Sequence, residues 1–308
     1  MPIKIQNSLP AQEILEGENI FVMTEYRAMH QDIRPLKVLI LNLMPTKIET
    51  ETQLLRKLSN TPLQVEVEFL QTASYQPTHV SANHMETFYT VFDEIKERKF
   101  DGMIITGAPL DYTDWEDVSY WKEVSKIMEW SKTHVHCTLH MCWGAFAGLY
   151  YHYGINKVNT KEKLSGVYEH VVLKKNSPLF RGFDDIFYCP QSRAMSVKQE
   201  DIEKVPELEV LAVSEEAGVT IVKTKDSKQL FITGHLEYDS DTLAKEYFRD
   251  LEKGMNPHVP ANYFPHDNPQ EQPIVRWRSA GQLFYSNWLN YYVYQSTPYD
   301  VQEIAQPE

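Results

Sequence analysis

Cys142 sits inside "TLHMCWGAFAGLYYHYG", where a buried apolar run gives way to small and apolar residues at helical spacing. Free cysteine is among the most buried residue types, so filling core space is one reading of it. Its position supplies another. A thiol at a helix N-terminus sees unpaired backbone N–H groups and the positive end of the helix dipole, both of which favour thiolate. Gly144 permits tight strand-to-helix packing, and the N–H of Trp143 is placed to meet an oxyanion. The arrangement is that of a nucleophile elbow, although "HMCWG" keeps only the second glycine of G-x-S-x-G.

A nucleophile needs a base, and the base needs an orienting carboxylate. "LFITGHLEYD" supplies His235 and Glu237 two residues apart at the end of an apolar run. On a strand both would project from one face. Alone, such a pair could be a surface salt bridge. Joined to an upstream cysteine elbow, it reads as a Cys–His–Glu triad.

The elements that must position these groups follow an α/β rhythm. "LKVLILNLMP" is a strand buried on both faces, followed by a helix in "TKIETETQLLRKLSN" with Thr46 as N-cap, early glutamates and late basic residues. "LQVEVEFLQ" alternates as a strand, "HMETFYTVFDEIKERK" has helical spacing, and "FDGMIITGAP" is a buried strand. "SYWKEVSKIMEWSKTH" is helical and "VHCTLHMC" is the next strand. This alternation predicts a doubly wound, mostly parallel sheet flanked by helices, with functional groups at the carboxyl ends of its strands. Those ends are Met44–Lys47, Thr106–Asp111 and Met141–Gly144.

Further on, "GVYEHVVLKK" and "IFYCPQSRAMSV" read as strands, and "LEVLAVSEEAGVTIVKTKDSKQLFITGHLEYD" reads as an antiparallel meander turning at Asp226–Ser227. "DTLAKEYFRDLEKG" is a helix stopped by Gly254, and "SAGQLFYSNWLNYYVYQ" a final aromatic helix. A short helical stretch is expected between Pro10 and Pro35. With no clear linker, the chain reads as one domain: an extension over 1–35, an α/β core over 36–254, and a C-terminal loop and helix over 255–308.

The formal charge of −13 argues against nucleic-acid binding, because there is no basic surplus to neutralise phosphates. The apolar runs are strand-sized, too short to span a bilayer, and the N-terminal segment lacks the apolar core of an export signal. Three cysteines without CxxC spacing then suit a reducing cytoplasm, and they form no zinc-ligand pattern with histidine.

The order Cys, then His-x-Glu, resembles that of class I glutamine amidotransferases. More specifically, "NLMPTKIETETQLLRKL", "ITGAPLDYTDWEDVSYW", "HMCWGAFAGLYYHYGI", "PQSRAMSV", "ITGHLEYDSDTLAKEYFRD" and "WRSAGQLFYSNWLNYYVYQ" together resemble the homoserine O-acyltransferase family of methionine biosynthesis, over nearly the whole chain. The resemblance implies ping-pong transfer of an acyl group from acyl-CoA to the hydroxyl of L-homoserine. Cys142 would carry the acyl group, His235 would act as base and acid, and Glu237 would fix the imidazole. The N–H groups of Trp143 and of Ala108 in the "TGAP" turn would meet the oxyanion.

Lys47 would add positive charge near the thioester; its other reading is a solvated lysine at the start of a helix. The resemblance assigns homoserine contacts to Lys163, Ser192 and Arg249. The family more usually has Pro-His-Ser-Arg where this chain has Pro-Gln-Ser-Arg. It also assigns acyl specificity to position 111, along with Ser192. There, glycine goes with succinyl-CoA and glutamate with acetyl-CoA, so Asp111 favours acetyl-CoA by charge repulsion and space filling.

No metal or resident cofactor is implied, with acetyl-CoA entering as co-substrate. A homodimer is implied, and the aromatic C-terminal helix reads equally as its contact or as core packing. A glutamine amidotransferase-like hydrolase and an oxidant-sensing protein are the rival readings.

Overall fold

The computed structural model describes residues 34–74, 81–298 and 300–304, together with two short paired strands, Ile3–Ile5 and Val22–Thr24. The helical stretch expected between Pro10 and Pro35 otherwise lies outside the described residues, and Val22–Thr24 within it is strand.

The main sheet has ten strands: β1 (Leu36–Leu41), β2 (Val65–Gln71), β3 (Tyr89–Val91), β4 (Phe100–Ile105), β5 (Val135–Met141), β6 (Val158–Val172), β7 (Ile186–Ser196), β8 (Leu208–Ser214), β9 (Gly218–Thr224) and β10 (Gln229–Ile232). Their order is β3-β2-β1-β4-β5-β10-β9-β8-β6-β7. From β3 to β10 the neighbours are parallel, and from β10 to β7 they are antiparallel. The expected α/β sheet is therefore the fold, with the meander and the two strands before it as its antiparallel half. That half curls until its last strand meets the loop after β10: His235 N donates to Pro190 O of β7 at 2.8 Å.

Successive residues of β1 enter opposite cores, as two-sided burial requires. Val38 and Ile40 join one core with helices α1 (Lys47–Leu58), α7 (Thr242–Glu252) and α8 (Arg278–Asn287). Leu39 and Leu41 join the other with α4 (Trp121–His134) and α5 (Trp143–Tyr153).

Three elements differ from the sequence expectation. "HMETFYTVFDEIKERK" is not one helix: α2 (Ala82–Phe88) and α3 (Phe92–Ile95) are split by β3. Tyr89 is pinned there, its hydroxyl donating to Glu51 Oε1 at 2.6 Å and accepting from Asn42 Nδ2 at 2.9 Å, while its backbone pairs with Phe69. The second is β6, which begins at Val158, well before the apolar run that announced it. In the third, the final helix widens into π turns over Trp288–Tyr294. Its aromatic face is spent on the core, with Phe284, Tyr285, Trp288 and Val293 buried. The core-packing reading of that helix therefore describes it.

Candidate active site

Cys142 follows β5 with no intervening loop and has φ 47° and ψ −117°, a left-handed backbone held by its surroundings. Its N–H donates to Ile232 O of β10 at 2.8 Å, and its carbonyl accepts from Ala145 N and Phe146 N, so it opens α5 directly. Only glycine fits two residues on. A Cβ on Gly144 would lie 2.7 Å from Thr106 O and 2.8 Å from Ile105 O, which is how tightly α5 is seated on the end of β4. The turn after β4 then crosses the nucleophile: a Cβ on Gly107 would stand 3.6 Å from the Cys142 Sγ and 3.7 Å from Trp143 N. Ala108 is the next residue of that turn. Cys142 is 7% exposed, whereas Cys137 and Cys189 are wholly buried. Burial pushes the Cys137 thiol up to about 12 and Cys189 higher still, so both stay protonated.

His235 and Glu237 lie in the loop after β10, not on the strand itself, which ends at Ile232. The pairing expected of a strand face is made by the loop: His235 Nδ1 and Glu237 Oε1 are 2.7 Å apart. That leaves Nε2 free to serve the Cys142 thiol, whose charge acts on the imidazole. Burial alone would lower the imidazole pKa, but the Cys142 and Glu237 charges outweigh it and hold His235 well above its usual value. Tyr285 Oη donates to Glu237 Oε2 at 3.4 Å. Tyr238 stacks on the His235 ring with centroids 4.1 Å apart, fixing its plane.

The three positions assigned to homoserine converge on two acids that sequence reasoning missed. Ser192 Oγ donates to Glu246 Oε2, and Lys163 Nζ lies 3.5 Å from the same oxygen and 3.3 Å from Asp250 Oδ2. Arg249 closes on Asp250 Oδ1 through Nε at 2.9 Å and its terminal amino group at 2.7 Å. Burial would raise the Asp250 pKa, yet Arg249 and Lys163 hold it below its ordinary value. Glu246 Oε1 accepts from Tyr238 Oη at 2.9 Å, so the cluster is joined to the imidazole through one aromatic ring. The signal available was the spacing Glu246, Arg249, Asp250, which puts all three on one face of α7.

Asp111 Oδ1 accepts from Ala194 N of β7 at 3.0 Å. Lys157 Nζ ties the Asp111 loop down, donating to Asp111 O at 2.6 Å and Thr113 O at 2.7 Å. Beside this loop a cleft of about 210 Å³ is lined by Leu43, Pro45, Pro109, Leu110, Val118 and Tyr120, among others. Lys47 is not the solvated helix-start lysine of its alternative reading. It is 4% exposed, donates to Asn42 O, lies 5.6 Å from the Tyr89 ring centroid, and is lowered by burial to about 8, Glu51 opposing the shift. Among the described residues, no group of three or more His, Cys, Asp or Glu is arranged to hold a metal ion.

Residues 2–299 match the family model described as HTS, homoserine O-succinyltransferase. The chain belongs to this family. It is 58% identical to a homoserine O-acetyltransferase of Petrotoga mobilis over 99% of both chains, and 57% identical to one of Acetivibrio thermocellus over 99% of this chain and all of that one. Among solved structures it resembles a glutamine amidotransferase from Thermotoga maritima, with a TM-score of 0.55 and 14% identity over 83% of this chain and 97% of that one. A glutamine amidotransferase from Methylobacillus flagellatus gives 0.51 and 12% over 84% and 95%. These likenesses are of fold.

Proposed function

We propose that the protein is a homoserine O-acetyltransferase that passes acetyl from acetyl-CoA to L-homoserine through an acetyl-Cys142 intermediate. The observation that carries this reading is the Glu246 cluster joined by Tyr238 to the triad imidazole. It offers acids for an ammonium and bases for a carboxylate beside a thiol–imidazole pair, which is what an amino-acid acceptor of an acyl group needs.

The reacting form of the nucleophile is the Cys142 thiolate, with the His235 imidazolium beside it. The thiolate attacks the acetyl-CoA carbonyl, and the N–H groups of Trp143 and Ala108 meet the developing oxyanion, with Lys47 adding positive charge. As the tetrahedral intermediate collapses, the CoA sulfur leaves and takes the proton from His235. Acylation also removes the thiolate that was holding the imidazole pKa up. His235 is then a neutral base, and it accepts the hydroxyl proton of homoserine as that oxygen attacks the thioester. Cys142 leaves as thiolate and the imidazolium is restored. Glu237 stabilises the imidazolium in both half-reactions, and Lys163, Ser192, Arg249 and Glu246 hold the amino acid. No resident cofactor is needed, and CoA comes and goes as co-substrate.

Acetyl is favoured over succinyl on two grounds. Relatives at 56–58% identity carry the acetyltransferase name, and the Asp111 carboxylate, fixed by Ala194 N, would face the free carboxylate of a succinyl group. Two like charges in a partly desolvated site cost on the order of several kcal/mol. The test is a donor assay with homoserine. The protein should use acetyl-CoA and largely reject succinyl-CoA, and Asp111→Gly should admit the latter. Unchanged donor preference in that variant would defeat the assignment, and turnover of glutamine in place of homoserine would support the hydrolase reading. A homodimer, drawn from the family resemblance, and a cytoplasmic location, drawn from the cysteine usage, are proposals. No described helix is long and apolar enough to cross a membrane.

A further inference from the structure

Glu237 turns one carboxylate oxygen to His235 and the other to the C-terminal helix. Oε1 meets His235 Nδ1 at 2.7 Å, and Oε2 accepts from Tyr285 Oη of α8 at 3.4 Å. The same hydroxyl lies 3.5 Å from the sulfur of Met141, the residue before Cys142. Tyr285 therefore meets both chain segments that carry the thiol and the imidazole. Two further contacts, spaced four residues apart along the same face of the helix, hold it there. Trp277 Nε1, at the helix start, donates to Tyr238 O at 3.0 Å. A Cβ on Gly281 would collide with Leu236 O, so the helix backbone lies directly on the catalytic loop. Trp277, Gly281 and Tyr285 thus meet Tyr238, Leu236 and Glu237, and both aromatic side chains are buried. Lys57 of α1 is the cation on this side: its Nζ lies 3.0 Å from the position of that Cβ, and burial lowers its pKa while Glu237 and Asp239 oppose the shift. Its charge favours the carboxylate, but a hydroxyl bond fixes which way the oxygens point. Burial and the Glu237 charge push the Tyr285 phenol well up, so it stays a neutral donor.

We propose that Tyr285 is a positioning residue of the triad: by holding Oε2 of Glu237 it keeps Oε1 on the Nδ1–H of His235 and shares part of the carboxylate charge. It touches no reacting atom and acts through Glu237 and the imidazole. The inference rests on the Cys–His–Glu triad of the proposed mechanism. A donor on Oε2 favours the ionised carboxylate and weakens its pull on the imidazolium. Removing that donor should raise the imidazole pKa, so that His235 becomes a base only at higher pH.

The test reads the His235 ring. Cys142 is capped with iodoacetamide so that the thiol cannot titrate, and the ring nitrogens of isotope-labelled histidine are followed by NMR against pH. The His235 signal is the one lost in His235→Asn. In Tyr285→Phe the titration should move up by about half a pH unit. A ring-fluorinated tyrosine placed at position 285 keeps the shape and strengthens the donor, and should move it down. In uncapped protein, the acid limb of homoserine-dependent loss of acetyl from Cys142 should follow the same two directions, with KM for homoserine within about twofold of the wild type. An unchanged His235 titration in folded Tyr285→Phe overturns the proposal; should that variant fail to fold, an unchanged titration in the fluorinated protein does so. Ring shifts in a protein that never takes acetyl from acetyl-CoA would fault the acyl-carrier reading and leave the hold on Glu237 standing.

Discussion

Lys47 combines a charge with burial, and the two oppose each other. Its pKa of about 8 means that below this pH the fold carries a buried ammonium at a cost. Between about 8 and the ordinary lysine value the unfolded chain binds more protons than the folded one, so stability should rise with pH across that window. Lys47→Met should remove that rise and add roughly 1–2 kcal/mol at neutral pH, net of the lost bond to Asn42 O. Denaturant titrations at several pH values check this, and an unchanged pH dependence would contradict the burial account. If Lys47 also serves the thioester, the same variant should lose kcat/KM for acetyl-CoA by about 10-fold or more. The wild type should then show an alkaline decline near pH 8 that the variant lacks. The triad was legible at this scale because Cys142 and His-x-Glu each fall at a strand end. Glu246 and Tyr238 were not, because their meaning lies in contacts with β7 and with the imidazole that no local spacing announces.

Elements read correctly where one physical cause acts along the whole segment. Two-sided burial made β1, β4 and β5 unmistakable, and the hairpin at Asp226–Ser227 appears as expected, with Ser227 N donating to Thr224 O at 2.9 Å. Reading failed where tertiary contacts overrode the period. Tyr89 keeps helical spacing with its neighbours, yet Glu51, Asn42 and the edge of β2 hold it extended. The first part of β6 is polar and solvent-facing, so nothing alternates until Val167 enters the core. The π turns begin where the Trp288 ring lies against Gly102, at which a Cβ would come within 3.1 Å. Gly144 tests the elbow at this scale. Alanine there gains about 1 kcal/mol of helix propensity, but its methyl would meet two carbonyl oxygens inside 3.0 Å. The clash should win, lowering stability by about 1–3 kcal/mol and displacing Cys142. A lower denaturation midpoint at constant slope is expected; a stabilised, fully active Gly144→Ala would show that α5 is not seated as described.

Across the whole molecule, each half of the sheet would supply part of the proposed chemistry. The parallel half contributes the elbow, the Gly107–Ala108 turn and Lys47, all at strand carboxyl ends. The antiparallel half brings Ser192 and Lys163 to Glu246, and the loop after β10 hangs the imidazole beside that cluster through Tyr238. The α/β class was legible because strand and helix alternate through the first half. The curl was not, because which strand closes on the β10 loop depends on pairings far apart in sequence. The family model is described by succinyl transfer and the relatives by acetyl transfer; in the proposed mechanism either acyl group would pass through Cys142. Intact-mass measurement after mixing with acetyl-CoA alone tests that claim most directly. The account predicts a gain of one acetyl group, mapped to Cys142, lost within turnover time when homoserine is added and persistent with glutamine. A folded protein that turns over acetyl-CoA and homoserine together, yet never carries acetyl on Cys142, would contradict it.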